Sequence, residues 1–207
     1  AALCITAELV QQGLNVQAIA SRSPLDPWPN TYGIWASELE ALSMQELLKY
    51  RWKDTVSFFG DGLSNKGNTC TKHSLDYGLF NLINFQEALL QRCNGLSWQI
   101  ETVKDINFSD KETVVKCASG KKYFARLVID ASGHKTPFIR RPEHGEIAKQ
   151  AAYGVVGKFS SAPVEKNRFV LMDFRPNHLD ANQLREPPSF LYAMDLGDGS
   201  YFVEETS

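Results

Sequence analysis

The chain lacks any apolar run close to the ~20 residues that a helix needs to cross a bilayer, so no spanning helix is expected. It also lacks a basic leader followed by an apolar core. Residues Ala1 to Gly13 carry Glu8, Gln11 and Gln12, which excludes a secretory signal there. There is no Met at position 1, and the first residues already show helical spacing, so the chain is expected to be a fragment of a longer protein. Cys4, Cys70, Cys93 and Cys117 form no C-x-x-C pair and read as isolated reduced thiols. His73, His134, His144 and His178 lack the i, i+4 spacing of a helical zinc site, so no metal is expected. The formal net charge is −2, which argues against a nucleic-acid partner held through its phosphates. Internal repeats and low-complexity segments are absent as well.

What is present reads as a folded mixture of helices and strands, with 43% hydrophobic and 22% charged residues. Ala1 to Gln12 has Leu3, Ala7 and Val10 at helical spacing, Gly13 closes the helix, and Leu14 to Ala20 reads as a short buried strand. Helix, glycine and strand form the back half of a βαβ unit. Pro24, Pro27 and Pro29 make 23–30 a loop. Ser37 and Glu40 suggest a capping box, followed by a helix with Leu39, Leu42, Met44 and Leu47 on one face, ending near Tyr50. Trp52 to Phe59 looks extended, and 61–71 reads as a loop or hairpin tip. Asn84 and Glu87 suggest a second cap, with a helix to about Cys93. Three strands are expected next, Ser97–Phe108, Thr113–Ala118 and Lys122–Asp130, as a meander whose last strand is buried on both faces. Ala151–Phe159, Arg168–Phe174 and Phe190–Met194 read as strands, and Gly197-Asp198-Gly199 turns the last of these back into Tyr201–Glu205.

Four features carry chemistry. The βαβ half-unit suits a dinucleotide, whose pyrophosphate meets a helix N-terminus and whose ribose meets an acid after the second strand. Here no Gly-rich turn is present and no carboxylate precedes Asp26, so a purely structural half-unit fits equally. Asp130-Ala131-Ser132-Gly133 ends the meander, and its glycine permits close backbone approach to a ligand. An ordinary strand-to-loop junction is the plainer reading. Glu204 and Glu205 follow Tyr201-Phe202-Val203, and strand alternation points them to opposite faces. One of them is then turned toward a core, where burial raises a carboxyl pKa and suits a proton donor. A frayed strand end with both acids in solvent also fits the spacing. Finally, 27–35 holds Trp28, Tyr32 and Trp35, whose π faces can line an apolar tunnel and stabilise a cation, or can simply pin the loop down.

Several blocks resemble one family. Asn30-Thr31-Tyr32-Gly33-Ile34-Trp35, Asp130-Ala131-Ser132-Gly133, Ala152-Tyr153-Gly154-Val155, Phe190-Leu191-Tyr192-Ala193-Met194 and Phe202-Val203-Glu204-Glu205-Thr206-Ser207 occur in the order and spacing of plant and cyanobacterial lycopene β- and ε-cyclases. Trp28-Pro29 and 51–60 look most like the cyanobacterial branch. The resemblance implies an α/β (α+β flavoprotein type) fold with FAD and NAD(P)H. It implies proton-initiated ring closure on lycopene or a similar acyclic carotenoid, with no net redox. It places catalysis at Glu204 and Glu205 with Glu205 slightly favoured, cofactor contacts at Asp130, Ala131 and Gly133, and substrate contacts at Tyr32, Trp35 and Tyr153. The chain departs from the pattern in its missing Gly-rich turn, in Ala20-Ser21 where an acid is usual, and in Asn81 where many members carry an acid.

The expected division is 1–35 as part of an FAD-binding domain, 36–95 as a helical and extended insertion, 96–145 as meander and return strand, and 146–207 as a substrate-domain sheet. The water-insoluble substrate implies peripheral contact with a thylakoid or plasma membrane of a photosynthetic cell. The competing readings are an FAD-dependent monooxygenase or isoprenoid-lipid reductase of the same superfamily, and a non-catalytic prenyl-binding protein. The paired acids argue against the redox enzymes, and the missing Gly-rich turn suits the binder only if Ala1 is the true start.

Overall fold

A computed structural model describes residues 1–59, 69–133, 138–139, 149–176 and 179–207. In chain order the first elements are α1 (Ala2–Gln11), β1 (Ala18–Ala20), β2 (Gly33–Trp35), α2 (Ala36–Ala41), β3 (Leu48–Trp52) and β4 (Asp54–Phe58). There follow β5 (Cys70–His73), β6 (Tyr77–Phe80), α3 (Leu82–Arg92), β7 (Trp98–Ile100), β8 (Val103–Phe108), β9 (Thr113–Cys117) and β10 (Lys122–Ala125). The last four are β11 (Ala152–Gly157), β12 (Arg168–Asp173), β13 (Phe190–Asp195) and β14 (Tyr201–Thr206). They divide into one unit of Ala1–Asn30 with Leu82–Gly145, and a second of Thr31–Asn81 with Glu146–Ser207. The helix α3, expected within an insertion, thus belongs with the N-terminal segment.

In the first unit, α1 and α3 pack side by side, tied by Arg92 to Glu8 at 2.7 Å and by Gln11 Nε2 donating to the Arg92 carbonyl at 3.0 Å. The strands β1 and β7 run parallel, as a βαβ unit requires, and β8, β9 and β10 form the expected antiparallel meander. Three expectations fail here. The first strand candidate is two strands, because the chain changes partners: Glu101 N donates to Ala20 O at 2.9 Å, while Thr102 O accepts from Ala118 N at 2.8 Å. The buried return strand at Leu127–Ile129 is irregular, with Leu127 76% and Ile129 47% exposed. A strand exists through its ladder, and among the described residues no strand pairs with this segment. The strand expected from Leu14 likewise starts only at Ala18, with Leu14 exposed.

The second unit holds a mixed sheet in the order β11-β14-β13-β12-β4-β5, parallel only between β12 and β4, and a smaller sheet in the order β2-β6-β3. Its helix is shorter than expected. No side chain caps α2; instead Ala36 N donates to Asp76 O at 2.8 Å, so the helix starts before Ser37. It stops at Ala41 because Ser43 turns left-handed (φ 53°), letting Ser43 N and Met44 N bond back to Glu40 O and Leu39 O at 3.0 and 3.1 Å. Leu48 to Tyr50 are therefore strand, not helix. The second capping pattern also misplaces its helix, since α3 begins at Leu82, ahead of Asn84. The strands after position 150 lie where the alternation puts them, and Gly197 and Gly199 (φ 76° and 83°) make the hairpin turn.

Strand alternation gives the large sheet two unlike faces. One is aliphatic, built on Val56, Phe58, Val164, Val170 and Ala193 with Tyr201 and Val203 against them. The other is aromatic, built on Trp52, Phe169, Met194 and Leu196, with Tyr77, Tyr192 and Phe202 packed around them. Phe169 is fully buried, and its ring lies 4.6 Å from Tyr77, 5.7 Å from Trp52 and 6.2 Å from Tyr192. Replacing it leaves a cavity that three rings cannot all collapse into. The Phe169→Ala variant is expected to lose about 3–5 kcal/mol of stability in a urea unfolding titration.

Candidate functional site on the aromatic face

The sequence places two acids on one strand, and the sheet decides what each one meets. The strand β14 is interior, bonded to β11 on one edge and β13 on the other, so it does not fray into solvent. Glu204 sits in register with Gly154 and Tyr192, and Glu205 with Tyr153 and Leu191. Glu204 shares its face with Phe202, two residues before it, and so belongs to the aromatic side. It is half-buried, and the buried Thr206 donates its hydroxyl to Glu204 Oε1 at 3.3 Å. Glu205 is exposed on the other face, where Ser189 Oγ donates to its Oε1 at 2.8 Å.

A run of rings leads away from Glu204. Tyr192 stacks on Phe169 with 16° between planes and meets Phe190 edge-on at 5.2 Å. Tyr77 continues the run, and Trp35 meets it edge-on at 5.5 Å. Gly33 is what lets Tyr77 lie there, since a Cβ at position 33 would overlap the Tyr77 ring and hydroxyl. Beside Trp35, Ser57 Oγ and His73 Nε2 are hydrogen-bonded at 2.8 Å across β4 and β5. Burial raises the pKa of both Tyr77 and Tyr192. The second cause is the neighbouring phenol of Tyr192 for Tyr77, and the charge of Glu204 for Tyr192.

The expected substrate residues therefore part company. Trp35 joins the ring array that reaches Glu204. Tyr32 stands just ahead of β2 and is 42% exposed, and Tyr153 is 79% exposed on the face of Glu205. The aromatic loop also divides. Trp28 packs edge-on against Phe85 at 5.5 Å, and Gln86 Nε2 donates to the carbonyls of Pro24 and Asp26, so this part of the loop pins itself to α3. Sequence reasoning missed Tyr77, Phe169 and Tyr192 as neighbours of the acids. One signal was available: counted outward from the Gly197–Gly199 turn, the hairpin register sets Tyr192 opposite Glu204.

The expected cofactor residues lie in the first unit. Asp130 Oδ1 accepts from Ser132 N at 2.9 Å and from Ser132 Oγ at 2.6 Å, a tight Asx turn. Ala131 is half-buried, and Gly133 is left-handed (φ 84°), with no atom of the described residues, its chain neighbours aside, within 4 Å of where a Cβ would stand. Beyond β1, Ser23 to Leu25 form one lip of a groove of about 440 Å³ that also takes in Leu90, Cys93 and Trp98, and among the described residues no charged one lines it.

The fold is shared with solved structures of proteins that were crystallised with FAD. A solved structure of HpxO from Klebsiella pneumoniae, complexed with FAD and uric acid, superposes with a TM-score of 0.64 at 12% identity, covering 99% of this chain and 52% of that one. The sequence comparisons narrow the class. The model of the family described as lycopene cyclase protein matches residues 1–207, and the chain belongs to that family. It is 45% identical to the lycopene beta cyclase of Synechococcus elongatus over all of this chain and 49% of that protein. It is 31% identical to the chloroplastic lycopene beta cyclase of Arabidopsis thaliana, over all of this chain and 41% of that protein. The chain thus spans about half the length of the curated relatives it matches.

The two raised phenols give a pH prediction. Both hold their protons past the ordinary value of 10.0, so the stability they contribute is complete below that pH and lost as pH rises through their folded values. A phenolate absorbance titration should show a late-titrating fraction, which shrinks in Tyr192→Phe and vanishes on unfolding.

Proposed function

We propose that the protein of which this chain is part closes the ends of acyclic carotenoids such as lycopene into rings, with Glu204 as the proton donor. The observation that carries this reading is the place of Glu204: half-buried, on the aromatic face, in register with Tyr192. In its protonated form the carboxyl gives its proton to a carbon of the terminal double bond. The O–H bond breaks, a C–H bond forms, and a carbocation results. The π electrons of a nearby double bond then close a six-membered ring. A different proton leaves the ring, and the carboxylate of Glu204 is available to take it. Nothing is oxidised or reduced. The chain's own contribution is to hold one acid in a partly dry setting, where a cation nearby is worth more than in water. Glu205, in solvent and held by Ser189, is assigned a supporting role on the opposite face.

FAD is the cofactor that this reading brings, with NAD(P)H as the source of its electrons. The turn of Asp130, Ala131 and Gly133 fits a dinucleotide, because the left-handed Gly133 leaves its backbone open to close approach. A reduced flavin bound in the protein would supply negative charge beside a developing cation. Among the described residues no helix is long and apolar enough to cross a membrane. We place the protein at the surface of a photosynthetic membrane, because its substrate resides there and the Arabidopsis relative is named chloroplastic.

The test is pigment analysis in a bacterium that accumulates lycopene and expresses the full-length gene. Wild type should yield cyclic carotene. Glu204→Gln should lower the rate by about 10²–10⁴-fold, the usual contribution of a positioned acid–base group, while Glu205→Gln keeps most of it. Lycopene left unchanged by well-expressed wild type would end the cyclase reading. Equal activity in Glu204→Gln would move the acid elsewhere.

A further inference from the structure

Glu204 is flanked on both sides, and the two flanks have different origins. Toward β13 its neighbour in register is Tyr192, whose ring is braced by stacking on Phe169 and by the edge contact with Phe190. Toward β11 its neighbour in register is Gly154, which offers no side chain. A Cβ at position 154 would stand 2.8 Å from Phe202 Cε2 and 3.3 Å from the Cβ of Glu204. The Phe202 ring therefore leans over the backbone of β11 into the place a side chain would take. Both rings are half-buried on the face of Glu204, Tyr192 beside it on β13 and Phe202 two residues before it, leaning toward β11. Such a pair is what a cation formed beside Glu204 would meet first. The face of an aromatic ring attracts a cation by its quadrupole, most strongly where water is excluded.

We infer that Tyr192 and Phe202 are cation-stabilising residues of the ring closure, and that Gly154 is the positioning residue that lets Phe202 take its place. The assignment rests on the cyclase reading above and extends it to named rings. Tyr192 acts through its π face and not its hydroxyl. Its raised pKa keeps it a neutral phenol, so it adds no negative charge beside the acid. Stabilisation of this kind is present only once the substrate carries charge, so it raises kcat and leaves KM nearly unchanged.

Fluorine substitution tests this, because it withdraws electron density from the ring face while altering its shape little. In the full-length enzyme with lycopene in lipid vesicles, Tyr192→Phe should keep most of wild-type kcat. Replacing that phenylalanine, or Phe202, by mono-, di- and trifluorophenylalanine should lower kcat stepwise, by about 10- to 30-fold in all. KM and the unfolding midpoint should hold steady across the series. A second readout needs no turnover. Binding of a protonated tertiary amine on an isoprenoid tail should weaken in the same order, whereas binding of its neutral hydrocarbon analogue should not. Gly154→Ala should lower kcat and also flatten the response to fluorine at position 202. A flat series at both positions, with wild type active, would overturn the assignment and leave the cyclase reading intact. Absence of cyclic product from wild type would overturn both.

Discussion

The bonding of β14 on both edges, to β11 and to β13, is the constraint on which the rest depends. A strand held on two sides cannot slip by one residue without turning every side chain to the wrong face. That fixes Phe202, Glu204 and Thr206 toward the rings and Tyr201, Val203 and Glu205 away from them. Two adjacent carboxylates thereby become chemically unlike. One shares a face with Tyr192, Phe169 and Tyr77, and the other faces solvent with a serine for company. The same ladder carries β12, where Arg168 is held by Asp54 at 2.6 Å and Glu165 at 2.8 Å at the start of the parallel pair with β4.

The aromatic face has a price in backbone geometry. Gly33 and Gly154 are both positions where a ring occupies the space of a missing side chain, Tyr77 over the first and Phe202 over the second. Trp52 sits fully inside the cluster and finds a partner for its indole N–H in the carbonyl of Asp195 at 2.7 Å. Asp195, also buried, accepts from the backbone N–H groups of Asn167 and Gly197 at 2.6 and 2.9 Å, which ties the hairpin turn to the start of β12. Large rings can be gathered beside an acid only when every buried polar atom they displace is paired again.

Much of this was legible in the sequence, and the limits have physical causes. The hairpin of β13 and β14 was plain because period-two alternation flanks a turn rich in glycine, a purely local signal. The opposite facing of Glu204 and Glu205 followed from the same alternation. The hairpin register sets only Tyr192 opposite Glu204; the other rings on that face were not legible, because they come from β12 and the β2-β6-β3 sheet, which are distant segments. The capping pattern at Ser37 misled because the carbonyl of Asp76, forty positions away in the chain, serves the helix start instead. The buried return strand at Leu127–Ile129 misled because an apolar run states only that burial suits it, not that a partner strand is at hand. The aromatic loop divides for a reason the sequence does not carry: Trp28 meets Phe85 of α3, whereas Trp35 meets Tyr77 of β6.

The proposed ring closure requires a proton added from the protein while no electrons are transferred. The most direct measurement is the mass of the cyclic carotene formed by the full-length enzyme in deuterated water. Protonation followed by loss of a different hydrogen predicts one deuterium retained for each ring closed, with no change in the count of double-bond and ring equivalents. A ring formed without deuterium, or a product altered by two hydrogens, would contradict it.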